Sequence, residues 1–329
     1  MKTHRLGRTG LEVSELGLGG LSISKGGGPF EQAQGAILAA LDLGINYIDT
    51  APRYWDSEAV LGRVLPACEQ PVILSTKLGG RPEPFNPQDK DALMASVQES
   101  LRLLGRDYID ILIIHEPDRP GQFDWWTDWE DLSGPVLEAL DDLKKDGTIG
   151  FTGLGGSTVY ELARLVRTGK FDVVLTAFNY SLLWREAEHV VFPAARELDM
   201  GIIIGSPLQQ GALACRYDDD ITHGARWMSP WRRAQFQALY AFLDEIDMPL
   251  PELALRFTLS HPDVSTVLTG ARSREEVILN VATTERGPLP EDILERLDEI
   301  AAMVPFRPFE EPFSLPFRRT YRGPGEAGR

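Results

Sequence analysis

Four side chains of complementary chemistry stand at, or just after, short apolar runs. They are the carboxylate of Asp49, the phenol of Tyr54, the ammonium of Lys77 and the imidazole of His115. Moving a hydride to or from a carbonyl carbon requires proton transfer at the oxygen. A phenol can do this, but its ordinary pKa of about 10 makes transfer slow near neutrality unless a neighbour favours the phenolate. Lys77 is a candidate for that neighbour. A partly buried ammonium needs a counter-charge, and Asp49 can supply it. His115 can hydrogen-bond the same oxygen as negative charge develops there. Singly, each has a plainer reading: Asp49 as a turn residue, Lys77 as a surface lysine, His115 as a satisfied core histidine. Their joint placement at successive strand ends favours chemistry.

The elements that must hold them follow from the hydrophobic pattern. Runs rich in Val, Ile and Leu alternate with stretches of helical period, as in a parallel sheet buried on both faces. The predicted strands are Glu15–Gly19, Asn46–Asp49, Val72–Thr76, Ile109–Ile114, Ile149–Thr152, Val173–Ala177, Gly201–Ile204 and Ser265–Leu268. That number suits an α/β fold of the (β/α)8 TIM-barrel type, in which C-terminal strand ends face the active site. Helices are predicted over Phe30–Leu43, Ser57–Leu65, Lys90–Leu104, Pro135–Lys145, Thr158–Arg167 and Ser273–Thr283. The last two open on Thr158 with Glu161 and on Ser273 with Glu276, both capping-box patterns.

Further features exceed the repeat. His4–Val13 reads as an N-terminal hairpin turning at Thr9-Gly10 that can plug the barrel bottom. Pro117–Ser133, after the fourth strand, is a long loop carrying Trp125, Trp126 and Trp129. Leu208–Ser229, after the seventh, is another, followed by an extra helix from Pro230 to Ile246 and more helix toward the C-terminus. Residues 1–329 read as one domain, with the last ~15–20 residues as a tail. The rival Rossmann sheet is poorly supported, because Gly17-Leu18-Gly19-Gly20 matches its fingerprint only in part.

Composition narrows the partners. The chain has 329 residues and a formal net charge of −16, which disfavours nucleic acid and anionic membrane surfaces. Cys68 and Cys215 are too few for a disulfide framework or a zinc site. His4, His189, His223 and His261 have no metal-ligand spacing, and Asp218-Asp219-Asp220 reads as a solvated loop, so no metal is expected. The N-terminus has no apolar run of the secretory kind, and a cytoplasmic location is the expectation.

Longer motifs now carry a resemblance. Asp49-Thr50-Ala51-x-x-Tyr54-x-x-Ser57-Glu58-x-x-Leu61-Gly62, Ser75-Thr76-Lys77 and Leu112-Ile113-Ile114-His115 follow one another in order. With the opening Leu6-Gly7-Arg8-Thr9-Gly10-Leu11 and the late Thr269-Gly270-Ala271-Arg272-Ser273, they closely resemble the aldo-keto reductase family over roughly residues 4–283. The resemblance implies a TIM-barrel oxidoreductase using NADP(H), with NAD(H) possible, on a small aldehyde, ketone or sugar hemiacetal. It implies Tyr54 as general acid or base, Lys77 as its modulator, Asp49 as partner of Lys77, and His115 as the group that orients the carbonyl. It also implies cofactor contacts from Gly153, Asn179, Ser206, Leu208, Gly270, Glu276 and Asn280. Arg272 is expected at the 2′-phosphate, with Ser273 opening a helix whose N-terminus suits phosphate. Trp125, Trp126 and Tyr180 are expected in the substrate pocket, although packing is an equal alternative for each.

The chain departs from the family's commonest form where the nicotinamide ring is held. Gly155-Gly156 stands for a Ser-Asn pair, Ala177 for Gln, and Gly205 for a stacking aromatic. Loss of that aromatic resembles the branch of L-galactose and other aldose 1-dehydrogenases. The competing expectations are a cofactor-binding regulatory module like potassium-channel β-subunits, with little turnover, and a different TIM-barrel enzyme such as a metal-dependent hydrolase or an isomerase.

Overall fold

A computed structural model describes residues 1–81, 83–308, 311–312 and 315–318. In chain order its elements begin with a hairpin, β1 (Thr3–Arg5) and β2 (Glu12–Ser14). The alternating part follows: β3 (Leu16–Gly19), α1 (Phe30–Asp42), β4 (Tyr47–Asp49), α2 (Ser57–Val64), β5 (Ile73–Leu78), α3 (Lys90–Leu104), β6 (Ile109–His115), α4 (Pro135–Lys145), β7 (Ile149–Gly156), α5 (Tyr160–Val166), β8 (Val173–Ala177), α6 (Glu186–Glu197) and β9 (Gly201–Gly205). Then come α7 (Asp218–Thr222), α8 (Pro230–Ile246), α9 (Leu250–Leu259), β10 (Thr266–Thr269), α10 (Arg274–Glu285) and α11 (Glu291–Ala302).

Strands β3 to β10 are all parallel and close into a barrel, with β10 paired to both β9 and β3. Each strand is covered on its outer face by helices, so its outward and inward positions are both apolar. The outer face packs in one large cluster with the helices. The inner face forms a separate cluster of Tyr47, Ile111, Ile113, Val173, Leu175, Ile203 and Leu268. Leu6 and Val13, from the hairpin, complete that inner cluster and close the barrel bottom. Gly7 makes this closure possible. Its φ is +50°, and a Cβ there would lie 2.2 Å from the Gly201 nitrogen.

The structure differs from the predicted elements in informative places. β7 runs four residues beyond Thr152, to Gly156, because Gly153 and Gly155 lack the apolar side chains by which a strand is recognised. Helix α6 has no predicted counterpart; Pro193 inside it breaks the helical signal. The capping box at Thr158 does not form. Instead the Thr158 hydroxyl donates to the Asp118 carboxylate at 2.7 Å, and α5 starts later, at Tyr160. At Ser273 the cap half of the box forms, with Glu276 N–H donating to Ser273 Oγ at 3.3 Å, while the Glu276 carboxylate reaches one residue further back and accepts from Arg272 N–H at 2.8 Å.

Part of the expected tail is held down. Glu311 accepts from Arg232 Nε at 2.6 Å and from Trp184 Nε1 at 2.7 Å, while Phe317 stacks on Tyr217 at 4.3 Å. These contacts fasten the C-terminal strap to α8 and to the loop after β9. The remainder of the expected tail, from Arg319 on, lies outside the described residues. Among the described residues no helix is long and apolar enough to cross a membrane.

Candidate active site

Two-residue alternation aims the polar groups inward. Tyr47 and Asp49 share the inner face of β4, Ser75 and Lys77 that of β5, and Ile111, Ile113 and His115 that of β6. The earlier member of each set fills the barrel, and the last reaches its C-terminal mouth. Lys77 Nζ donates to Asp49 Oδ2 at 2.5 Å and to the Thr50 carbonyl at 2.9 Å. The two side chains are only 2% and 3% exposed. Asp49 Oδ1 accepts from Ser75 Oγ at 2.8 Å, and that hydroxyl lies 2.8 Å from the Tyr47 hydroxyl. The carboxylate is therefore bound through both oxygens, which is what makes a buried pair tolerable.

Tyr54 comes from the turn after β4, where its N–H donates to the Ala51 carbonyl at 3.0 Å. Its ring meets the His115 ring edge-on, with centroids 5.9 Å apart and planes at 88°. The Lys77 ammonium lies 4.7 Å from the Tyr54 ring centroid. The fold thus brings Asp49, Tyr54, Lys77 and His115 together at one mouth.

The electrostatics correct one expectation. The Tyr54 phenol stands above its ordinary value, chiefly because burial disfavours the phenolate; Lys77 opposes this, and Asp49 adds to it. Lys77 therefore offsets the burial of Tyr54 without reversing it, because its charge is shared with Asp49. For Lys77, burial pulls the value down, but Asp49 and Tyr54 together outweigh it, and the net shift is upward. His115 is held well below its ordinary value by burial first, then by the charges of Lys77 and Arg53.

A neutral His115 has a measurable consequence. Its ring resonances are expected not to titrate at the ordinary histidine value of about 6.5. Because the unfolded chain takes up that proton first, this site removes stability as pH falls below that value toward the depressed one. Ring chemical shifts followed by NMR from neutral to acid pH check it; a midpoint near the ordinary value would contradict the neutral assignment.

The other half of the mouth is built from small residues. Gly155, Ala177 and Gly205 occupy the corresponding inward positions of β7, β8 and β9. A Cβ on Gly155 would lie 2.9 Å from Ile113 Cγ2 and 3.9 Å from Lys77 Cε. These positions form a low floor beside the polar group. Gly153 lies one inward step lower, between Val173 and Ile113, so Gly155 is the glycine that faces the open end.

The remaining expected cofactor residues lie around this floor. Asn179 follows β8, is 5% exposed, and keeps its Nδ2 buried without a hydrogen-bond partner among the described residues. Ser206, with φ of +57°, and Leu208 begin the loop after β9. Gly270 follows β10, where a Cβ would lie 2.5 Å from Ser22 Oγ. Arg272, Ser273, Glu276 and Asn280 cluster at the start and first turns of α10. Arg272 and Glu276 are exposed, and the Glu276 carboxylate is occupied by the Arg272 N–H. A low floor, an orphaned amide donor and a capped helix N-terminus beside an arginine fit an extended anionic dinucleotide.

The tryptophans are packing residues first. Trp125 is fully buried, and its Nε1 donates to the His115 carbonyl at 3.2 Å. Trp126 is 4% exposed and donates to the Pro117 carbonyl at 3.0 Å. They pin the loop after β6 onto the rim and do not present an open stacking wall. Tyr180 is also placed away from the mouth. It is 2% exposed and packs against Phe192, Phe257 and His261, in the layer between barrel and helices.

Sequence reasoning missed Asp118. This carboxylate, 1% exposed, accepts from the N–H groups of Ser157 at 2.8 Å and Thr158 at 2.6 Å, tying the loop after β6 to the end of β7. Its place three residues beyond His115 is the signal that could have found it. Glu58 pairs with Arg81 behind β5 and accepts from Thr76 Oγ1 at 2.6 Å. Among the described residues no group of His, Cys, Asp and Glu side chains is arranged to hold a metal ion.

Comparison with known proteins agrees with this geometry. The model of the Aldo/keto reductase family matches residues 15–302. The chain is 31% identical over 316 residues to L-galactose dehydrogenase of Arabidopsis thaliana, covering 92% of this chain and 94% of that one. It is 27% identical over 331 residues to a putative voltage-gated potassium channel subunit beta of Schizosaccharomyces pombe, covering 91% and 93%. Among solved structures it is similar to the holo form of the aldo-keto reductase AKR11C1 from Bacillus halodurans, with a TM-score of 0.77, 29% identity, and coverage of 94% and 99%.

Proposed function

Since the chain belongs to the aldo/keto reductase family, we propose that it is an NADP(H)-dependent oxidoreductase acting on a small aldehyde, ketone or sugar hemiacetal. The observation that supports this most is the buried Lys77–Asp49 pair beside Tyr54 and His115 at the barrel mouth. Bound in the mouth, the nicotinamide would supply or accept the hydride.

The residues of the chain handle the oxygen. In reduction, Tyr54 donates its proton to the carbonyl oxygen as negative charge develops there, and solvent later reprotonates the phenolate. A neutral His115 donates one hydrogen bond to the same oxygen, which fixes the carbonyl and stabilises its charge. Asp49 holds Lys77 against the phenol, where the ammonium stabilises the phenolate left after transfer. In oxidation the same groups act in reverse, with Tyr54 as base. Gly155, Ala177 and Gly205 leave room for the nicotinamide ring, and the Nδ2 of Asn179, without a hydrogen-bond partner among the described residues, is a candidate donor to it. Arg272 and the N-terminus of α10 would hold the adenosine phosphates, which favours NADP(H) over NAD(H).

Similarity to L-galactose dehydrogenase makes free aldoses the first oxidative substrates to try, with the hemiacetal converted to a lactone. Similarity to a channel subunit supports a second reading, a cofactor-binding module with little turnover. Nicotinamide absorbance distinguishes them. NADPH with a panel of aldehydes, and NADP with free aldoses, is expected to give steady turnover in at least one arm. Tight NADPH binding without turnover in either arm would favour the module.

A further inference from the structure

We propose that Arg53 makes this site selective for carbonyl substrates that carry an anion, a carboxylate or a phosphate, a few bonds from the reacting carbon. The inference rests on the carbonyl chemistry proposed above and names the substrate class of that same site. Arg53 directly precedes Tyr54 in the turn after β4, so its backbone is fixed by the same turn that aims the phenol. Its stem lies over the bare backbone of Gly80, where a Cβ would meet Arg53 Cγ at 2.5 Å. Its guanidinium lies 5.3 Å from the centroid of the Phe123 ring. Phe123 in turn packs against Phe85 and Trp125, and Trp125 holds the carbonyl of His115. The arginine is therefore braced against the rim from its apolar side, with its charge within Coulombic reach of the His115 ring.

What sets Arg53 apart from Lys77 is the lack of a counter-charge among the described residues. Lys77 is neutralised by Asp49 at 2.5 Å. Arg53, although exposed, has no ion pair and no hydrogen bond among the described residues. This happens in a chain with 49 acidic and 33 basic residues, where carboxylates are abundant. Arg53 thus sets a positive charge with no ion-pair partner among the described residues at the mouth of a strongly negative protein. A planar guanidinium with free donors is matched in geometry by a carboxylate or phosphate, which it can bind through paired hydrogen bonds. Electrostatic attraction to the mouth is local and is opposed by the surrounding surface, so selectivity comes from the contact itself.

The test compares pairs of substrates that share the reacting aldehyde and differ in whether they carry the anion. One pair is succinic semialdehyde and its methyl ester; the other is glyceraldehyde phosphate and glyceraldehyde. Wild-type enzyme with NADPH is expected to favour the anionic member of at least one pair in kcat/KM. In Arg53→Gln the ratio of anionic to neutral kcat/KM is expected to fall about 10- to 100-fold, the size expected for hydrogen bonds to a charged group. Arg53→Lys is expected to restore part of it. The pair with the larger fall identifies carboxylate or phosphate. A wild-type ratio near one in both pairs, or a ratio unchanged in Arg53→Gln, overturns the inference while leaving the carbonyl chemistry standing. If neither member of either pair turns over, the aldehyde and aldose panel described above decides the proposed function separately, and a tryptophan-fluorescence titration with succinate and inorganic phosphate decides for Arg53. Saturation lost in Arg53→Gln supports it; none, or saturation unchanged in the variant, overturns it.

Discussion

Tyr54→Phe is expected to lower kcat by about 10²- to 10⁴-fold, the contribution of a positioned general acid. The substitution removes one hydroxyl and keeps the ring, so the edge-on contact with His115 is retained. Cofactor binding is therefore expected to survive, and the loss falls on chemistry. The direction of the phenol's shift adds a second readout. Because burial holds the Tyr54 value above the ordinary one, the acid form persists through neutral pH. Reductive kcat/KM is expected to be flat through neutrality and to fall as pH rises through that raised value. The oxidative rate is expected to rise over the same interval, since there Tyr54 must act as base. Pre-steady-state hydride transfer across pH in wild type and variant checks both; unchanged turnover in Tyr54→Phe would remove the phenol from proton transfer.

The other large effect is on stability. Asp49→Asn removes the counter-charge from an ammonium that is 2% exposed, and breaking one side of a buried pair destabilises by about 3–5 kcal/mol. The folded-state value of Lys77 is raised, so its pairing contributes in full below the unfolded lysine value, about 10.4, and is lost only as pH climbs through the folded one. The difference between wild type and Asp49→Asn is thus expected to be constant through neutral pH and to shrink in strong alkali. Turnover falls as well, because Lys77 loses the anchor that keeps it beside Tyr54. The double variant Asp49→Asn with Lys77→Met is expected to recover most of the stability and none of the activity. Urea unfolding of the three proteins measures this. Wild-type stability in Asp49→Asn alone would mean that the pair is not desolvated as described.

Much of this site is written in the local pattern. Asp49 and His115 close apolar runs, and Lys77 follows Val72-Ile73-Leu74 after Ser75 and Thr76; largely apolar runs are what a barrel strand buried on both faces requires. Alternation then places each of them on the same inner face as the residue two before it, which packs inside the barrel. Where side chains are absent the pattern goes silent. Gly153 and Gly155 hid half of β7, and for the same reason the floor of the mouth was legible only as a set of missing groups. Trp125, Trp126 and Tyr180 show the opposite failure. An aromatic ring in a loop serves a pocket or a core equally well, and only the surrounding contacts distinguish the two.

By itself the sequence determined the repeat of strands and helices, the order of the motifs, and which ionisable groups stand at strand ends. These depend on neighbours along the chain, through the periods of helix and strand. Only the tertiary structure decided which charges meet. Closure of the barrel sets Lys77 against Asp49 across adjacent strands, leaves Arg53 without a carboxylate partner among the described residues, and sends Asp118 to the end of β7. It also decided the balance at Tyr54, where burial outweighs the ammonium. Desolvation and Coulomb terms depend on distances between residues far apart in sequence, and those distances exist only once the barrel is closed.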